Sequence, residues 1–304
     1  MASPRRVTVS YHGRRPAAVA AAARFVNGMT EHGITCLLPG EQLPALRLAL
    51  GPTAAVGELS DSNGEGCELA VVFGGDGNIL RASEWALRFN LPVLGVNLGH
   101  VGFLAELEPH EAGQLIDHVV NREYTVEDRM TIDTIVRASL DGPELWRSFA
   151  INEVSLEKLA RERMIDVLVR VDGEPLSRWG TDGVLVSSPT GSTAYAFSAN
   201  GPVLWPDLEG ILVVPLSAHA LFNRPMVLSP RSVVSVEILP SEESGAVVWC
   251  DGRRSTSLTS GMVMEARAGA HRLLLARIGA QPFVTRLVRK FNLPVDGWRG
   301  ARAD

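Results

Sequence analysis

Three glycines, an aspartate and an asparagine, GGDGN at 74–78, end the apolar run LAVVF and open the amphipathic stretch ILRASEWALRF. An apolar run that stops at glycines and passes into a helix-period pattern describes a parallel strand feeding a helix N-terminus. Glycines let backbone approach a ligand closely, and the free N–H groups of a first helical turn attract phosphate or ribose oxygens. Into that anion-friendly turn the chain places a carboxylate, Asp76. An acid is a poor phosphate ligand, so it better suits a hydroxyl or a metal ion beside the phosphates. That chemistry is a kinase's. The same residues also have a plainer use, because Asp before Gly makes turns and Asp near a helix start caps it. The pentapeptide alone leaves both open.

Four more segments carry more polar detail than a core needs. LGVNLGHVGFLAE at 94–106 sets three glycines after a strand end, where parallel folds bind ligands. Asn152 and Glu153 sit inside an apolar flank, FAINEVSLEK, where burial demands partners and a purine or ribose offers both donors and acceptors. An edge position facing water is the alternative. In GTDGVLVSSPTGSTAYAFSANGP at 180–202, Asp182 precedes a strand, and hydroxyl residues crowd before Tyr195. Small hydroxyls and free amides suit phosphate and purine contacts, and Tyr195 could stack on a base. In HALFNRP at 219–225, His219 and Arg224 could touch phosphate, although such a histidine is more often structural.

The elements that must position these residues fall into two groups. Strand patterns at 7–11, 34–38, 69–73 and 92–97 alternate with helical patterns at 16–32 and after the glycine turn. This alternation implies an α/β domain with a parallel sheet. Residues 39–68, rich in Pro, Gly, Ser and acids, read as a long loop with one short helix, a candidate lid. After about residue 124 the pattern changes. Short β-branched segments at 131–138, 165–171, 233–239, 246–250 and 272–278, with turns at Asp141-Gly142, Asp172-Gly173 and Asp251-Gly252, predict an all-β, sandwich-like domain. The expected division is 1–124, 125–278 and a tail at 279–304. In the tail, FVTRLVRKF sets Phe283, Leu287, Val288 and Phe291 on one stripe, a basic amphipathic helix expected to pack back on the first domain.

Composition narrows the function. The chain has 304 residues, 46% of them hydrophobic, a mean hydropathy of +0.10 and a net charge of −5. That gives no general attraction to nucleic acid or acidic membranes. No stretch is long enough to span a bilayer and no leader pattern opens the chain, so the cytoplasm is expected. Cys36, Cys67 and Cys250 are scattered without metal or disulfide spacing, and no HExxH occurs, so no metal ligand set is assigned. Only Lys158 and Lys290 are lysines, and neither follows a glycine. A Walker-type loop is thereby excluded, as is a protein-kinase VAIK lysine. No GxGxxG follows the first strand, which argues against a dehydrogenase.

Taken together and in order, these segments resemble the NAD kinase family over nearly the whole chain. GGDGN resembles its GGDGT signature, and LGHVGFL at 98–104, NEVSLEK at 152–158, TDG at 181–183, PTGSTAYAFSANGP at 189–202, HALFNRP and DGR at 251–253 also match. GGDGx alone is shared with diacylglycerol and sphingosine kinases and related phosphofructokinases; the combination is specific. Scarce lysine, abundant alanine and arginine, and the closing LVRKFNLPVDGWRG look similar to actinobacterial members.

The resemblance implies a phosphofructokinase-like α/β domain and a β-sandwich that together convert NAD to NADP. The donor would be ATP, with inorganic polyphosphate an open alternative, and Mg²⁺ or another divalent cation would accompany it. It implies Asp76 as the catalytic residue, taking or orienting the proton of the 2′-hydroxyl of the adenosine ribose. Gly77 and Arg81 would complete that corner. Asn152, Glu153, Arg163, Asp182, Thr193, Ala194, Tyr195, Ala196, Phe197 and Ser198 would hold NAD. Gly74, Gly75, His219 and Arg224 would meet the phosphate donor. A homodimer or homotetramer is implied. Asn78 departs from the family's usual Thr; both cap helices, so the loop is expected to survive. A lipid kinase would leave the Asn152–Glu153 pair without a role, and a binding module would have no need of Asp76.

Overall fold

The structure, a computed structural model, describes residues 4–98, 102–107, 114–160, 163–240, 245–279 and 281–295, with the backbone alone at 106–107. The chain forms two compact units, residues 1–128 with 273–304 and residues 129–272.

The first unit is built on an eight-stranded sheet. Its order is Val56–Glu58, Thr35–Leu38, Arg6–Tyr11, Leu69–Phe73, Val93–Val96, Leu273–Arg277 and Thr125–Arg129, and Ala105–Leu107 also pairs with Val93–Val96. Pairing is parallel from the Val56 edge through Leu273–Arg277. Leu69–Phe73 is buried at all five positions, as a strand covered on both faces must be. The helix Pro16–Glu31 begins on a proline and buries Ala18, Ala22, Phe25, Val26 and Met29 along one stripe. Gly33, at φ +70, turns the chain out of it.

Two differences from the sequence reading stand out. The segment 39–68 is more ordered than a loop: it holds the helix Leu43–Arg47, the edge strand Val56–Glu58 and a turn of helix at Asp61–Gly64. That turn is closed by a capping box in which the Ser60 amide donates to Asn63 Oδ1 at 2.7 Å. The second difference is the strand at 272–278, expected in the sandwich. Leu273–Arg277 instead lies in the parallel sheet, with Leu275 opposite Val93. Its burial explains this, since four of its five residues are inaccessible, which fits a strand covered on both faces rather than an alternating one.

The second unit is a pair of six-stranded antiparallel sheets. One runs Met226–Leu228, Ile211–Leu216, Gly183–Ser187, Glu153–Lys158, Gly245–Cys250, Arg254–Thr259; the other runs Glu174–Thr181, Ile165–Val171, Val233–Ile238, Val263–Ala268, Ile132–Arg137, Glu144–Ala150. Val154, Leu156, Val184, Val186 and Val248 of the first meet Val136, Val167, Val169, Trp179 and Met264 of the second in one core. The other face of the first sheet is covered too. Leu185, Leu212 and Val214 pack under Ala196 and Leu204, which pins the 190–204 segment to the sheet. Asp172-Gly173 and Asp251-Gly252 adopt positive φ at both residues, as tight hairpin connections require.

Candidate functional site

In the first unit the strand Leu69–Phe73 delivers the chain to Gly74 and Gly75, and the helix Asp76–Ala86 starts at once. The Gly74 amide bonds Val96 O at 2.9 Å, while Gly75 O accepts from Asn78 and Ile79 amides at 2.9 and 3.2 Å. A Cβ on Gly74 would lie 2.6 Å from Asn78 Nδ2, so the asparagine in the signature occupies the space that the glycine leaves. Gly75 caps the helix without a side chain. Asp76 turns away from its own helix. Its carboxylate accepts from the Phe103 amide on Oδ2 and the Leu104 amide on Oδ1, each at 3.1 Å. Of the 94–106 glycine segment, residues 99–101 lie outside the described residues.

Beyond this corner is a cavity of about 740 Å³. Asn78, Arg81, Ala82 and Trp85 form one wall, and residues 8–14, 39–42 and 59–61 form the others. The expected lid segment therefore contributes walls. Tyr11 fastens it, donating from its hydroxyl to Gln42 O at 2.6 Å and from its amide to Gln42 Oε1 at 2.9 Å. The volume is that of a small-molecule site. His12, Arg14 and Arg81 give the lining cationic or donor character. Asp76, Gly74, Gly75 and Gly77 are not among its lining residues.

The second unit assembles its polar residues around Glu153–Lys158. Alternation sends Val154 and Leu156 into the core and places Glu153, Ser155 and Glu157 along the other face, where they line a cavity of about 280 Å³ with Tyr195, Trp249 and Gly252. Asp251 fixes the start of this strand. Its fully buried carboxylate accepts from the amides of Ile151 (2.8 Å), Asn152 (2.7 Å) and Glu153 (3.4 Å) and pairs with Arg254 at 3.2 Å. Arg254 also donates to Phe149 O at 2.7 Å and stacks over the Phe149 ring. Asn152 O in turn accepts from the Ser188 amide at 2.8 Å and Ser187 Oγ at 3.1 Å. A Cβ on Gly191 would overlap that carbonyl, so glycine permits the serine-rich turn to close on it.

This packing shifts protons. Burial, then the charge of Asp251, raises Glu153 to about 8, against the pull of a hydrogen bond from the Tyr195 amide. Among the described residues Glu153 Oε2 is buried without a hydrogen-bond partner. Burial also raises Asp251, opposed by the amides it accepts from and by Arg254. Burial, then Glu157, Glu153 and Asp182, raises the Tyr195 phenol.

Of the other expected residues, Thr193 ends a short 3-10 turn and Tyr195–Ser198 forms one helical turn. Ala194 links them, Ala196 is buried, and Tyr195 and Phe197 are 39% and 40% exposed. Asp182 pairs with Lys158 at 2.5 Å. Arg163, His219 and Arg224 are exposed and line neither cavity, although the His219 amide ties to Gly180 O at 2.8 Å. Glu157 and Trp249 are not singled out from sequence, and Asp251 enters there only within the DGR match and the turn, with no role assigned. A Glu-Ser-Glu alternation at 153, 155 and 157 was the available signal for Glu157, and Asp251-Gly252 registered as a turn.

Two family models match the chain: "ATP-NAD kinase N-terminal domain" over residues 30–124 and "ATP-NAD kinase C-terminal domain" over residues 151–278. An NAD kinase of Cutibacterium acnes is 52% identical over 301 residues, covering 99% of this chain and 94% of the relative. An NAD kinase of Thermobifida fusca is 45% identical over 305 residues, covering 99% and 93%. Among solved structures, yeast NADH kinase complexed with NADH superposes with a TM-score of 0.83 at 21% identity, covering 99% of this chain and 90% of that one. An NAD kinase from Archaeoglobus fulgidus in complex with ATP superposes with a TM-score of 0.69 at 24% identity, covering 95% and 100%.

Proposed function

From the premise that this chain belongs to the NAD kinase family, we propose that Asp76 is the group at which it phosphorylates NAD. The chain is an NAD kinase, a phosphotransferase that uses ATP to give NADP. The ribose 2′-oxygen bonds to the γ-phosphorus as the bond to the departing ADP breaks, and the hydroxyl proton passes to Asp76. A carboxylate is a weak base towards an alcohol, so that proton moves late, as the new bond forms. Most of the acceleration comes from alignment and charge neutralisation, because the transition state is loose.

The observation that carries this assignment is the seating of the Asp76 carboxylate. It lies at a helix start and is held by the backbone amides of Phe103 and Leu104, in a separate segment, rather than capping its own helix. Amide donation fixes the orientation of the carboxylate. The chamber walled by Arg81, Arg14 and Asn78, the last packed against Gly74, suits the donor's phosphates. Asn152, Glu153, Asp182 and the 193–198 segment are assigned to the nucleoside portions of NAD. Arg163 and, for the donor, His219 and Arg224 are assigned with them on the family resemblance.

Among the described residues no group of three or more His, Cys, Asp or Glu could hold a metal ion. A divalent cation carried on the donor's phosphates would supply charge neutralisation there. Polyphosphate as a second donor, a dimeric or tetrameric assembly and a cytoplasmic location complete the proposal. No helix among the described residues is long and apolar enough to cross a membrane.

The test is an NADP-formation assay with ATP and polyphosphate in parallel, diacylglycerol as a control acceptor, and light scattering for subunit number. Asp76→Asn is expected to remove nearly all turnover while NAD affinity stays within about threefold. A near wild-type kcat in that variant would overturn the assignment.

A further inference from the structure

The amphipathic helix Phe283–Phe291 presents an expected apolar stripe, yet its fully buried side chain is a cation. Arg286 is 5% exposed. Burying a guanidinium costs far more than burying the leucine that an amphipathic pattern would place there, so packing alone does not call for it. Its Nη1 donates to Phe103 O and Ala105 O, each at 3.3 Å. The Phe103 ring lies between Phe283 and Phe291, with centroids at 5.8 and 5.9 Å. The amides of Phe103 and Leu104 are the two donors that hold the Asp76 carboxylate. One short stretch of backbone is therefore gripped through its carbonyls by the C-terminal helix and grips the carboxylate through its amides.

We propose that Arg286 is a positioning residue for phosphoryl transfer, acting through the 103–105 backbone to set the orientation of Asp76. The proposal rests on the assignment of Asp76 made above. A guanidinium suits the task because it carries donors only and keeps its charge when buried, and its Nη1 serves both carbonyls. A misplacement of the carboxylate by a fraction of an ångström degrades the alignment of the 2′-hydroxyl with the donor, without touching the surfaces that bind either substrate. The consequence is a defect in kcat rather than in KM.

The experiment measures kcat and both KM values for Arg286→Gln, Asp76→Asn and the double variant, with circular dichroism to confirm folding. Arg286→Gln is expected to lower kcat by about 10- to 100-fold with both KM values within about threefold. In the Asp76→Asn background it is expected to add no further loss, since a residue acting through Asp76 has nothing left to orient. A kcat for Arg286→Gln within twofold of wild type, beside an inactive Asp76→Asn, overturns this proposal and leaves the Asp76 assignment standing. An active Asp76→Asn overturns the Asp76 assignment itself. Losses that multiply in the double variant also overturn the proposal. If Arg286→Gln does not fold, Arg286→Lys, which keeps the charge but not the guanidinium nitrogen that meets both carbonyls, carries the same comparison, alone and with Asp76→Asn.

Discussion

Gly102 lies so close to Asp76 that a methyl group on its Cα would overlap Oδ1 of the carboxylate. The absence of a side chain at 102 is thus part of the seat that also includes the Phe103 and Leu104 amides. Gly102→Ala must push either the carboxylate or the amides aside. The backbone at 102 is not in the left-handed region, so the conflict is steric and local. We expect kcat to fall by about 100-fold and stability to fall by ~1–3 kcal/mol, read by steady-state kinetics and thermal melting. Unchanged kcat in a folded Gly102→Ala would mean that the seat does not matter.

Asp251 acts as a knot for the other candidate site. Its carboxylate ties three consecutive amides, Ile151 to Glu153, and meets Arg254, itself bound to the Phe149 carbonyl. Removing one partner strands the others in a low-dielectric interior. Asp251→Ala is expected to destabilise the protein by ~3–5 kcal/mol and to raise KM for NAD more than KM for ATP. Urea unfolding and kinetics with each substrate varied give both numbers. A variant with wild-type stability and an unaltered NAD KM would show that the knot supports nothing.

Much of this was legible in the residues. The strand–glycine–helix unit at 69–86 announced itself because a buried apolar run, glycines and a 3.6-residue period coincide there. The sandwich was legible from turns such as Asp172-Gly173, whose backbone demands are met by few residue types. The strand Leu273–Arg277 was misplaced because an apolar run says that a segment is buried and not which sheet receives it. Asp251 was read as a turn residue, which it also is; that it reaches three amides from about a hundred positions away in sequence is a tertiary fact. The burial of Arg286 against the Phe103 and Ala105 carbonyls is likewise a tertiary fact, because helical periodicity does not say what packs on a helix face.

Glu153 carries a pH signature with a definite sign. Burial, then the charge of Asp251, raises its carboxyl from 4.5 to about 8, so the folded chain holds a proton there that the unfolded chain releases. The stability this lends is complete below the unfolded value, declines as pH rises from 4.5, and is gone above about 8. Glu153→Gln mimics the neutral acid at every pH. The difference in unfolding free energy between wild type and variant should therefore slope downward across that window and flatten on both sides, as urea titrations from about pH 4 to about pH 9 would reveal. Glutamine also keeps a donor where the protonated acid has one. NAD KM in Glu153→Gln is therefore expected to match wild type at neutral pH, while Glu153→Asp, which shortens the reach, raises it. Parallel stability curves for wild type and Glu153→Gln would show that this carboxyl titrates at its ordinary value and that the neighbouring Asp251 charge is not felt.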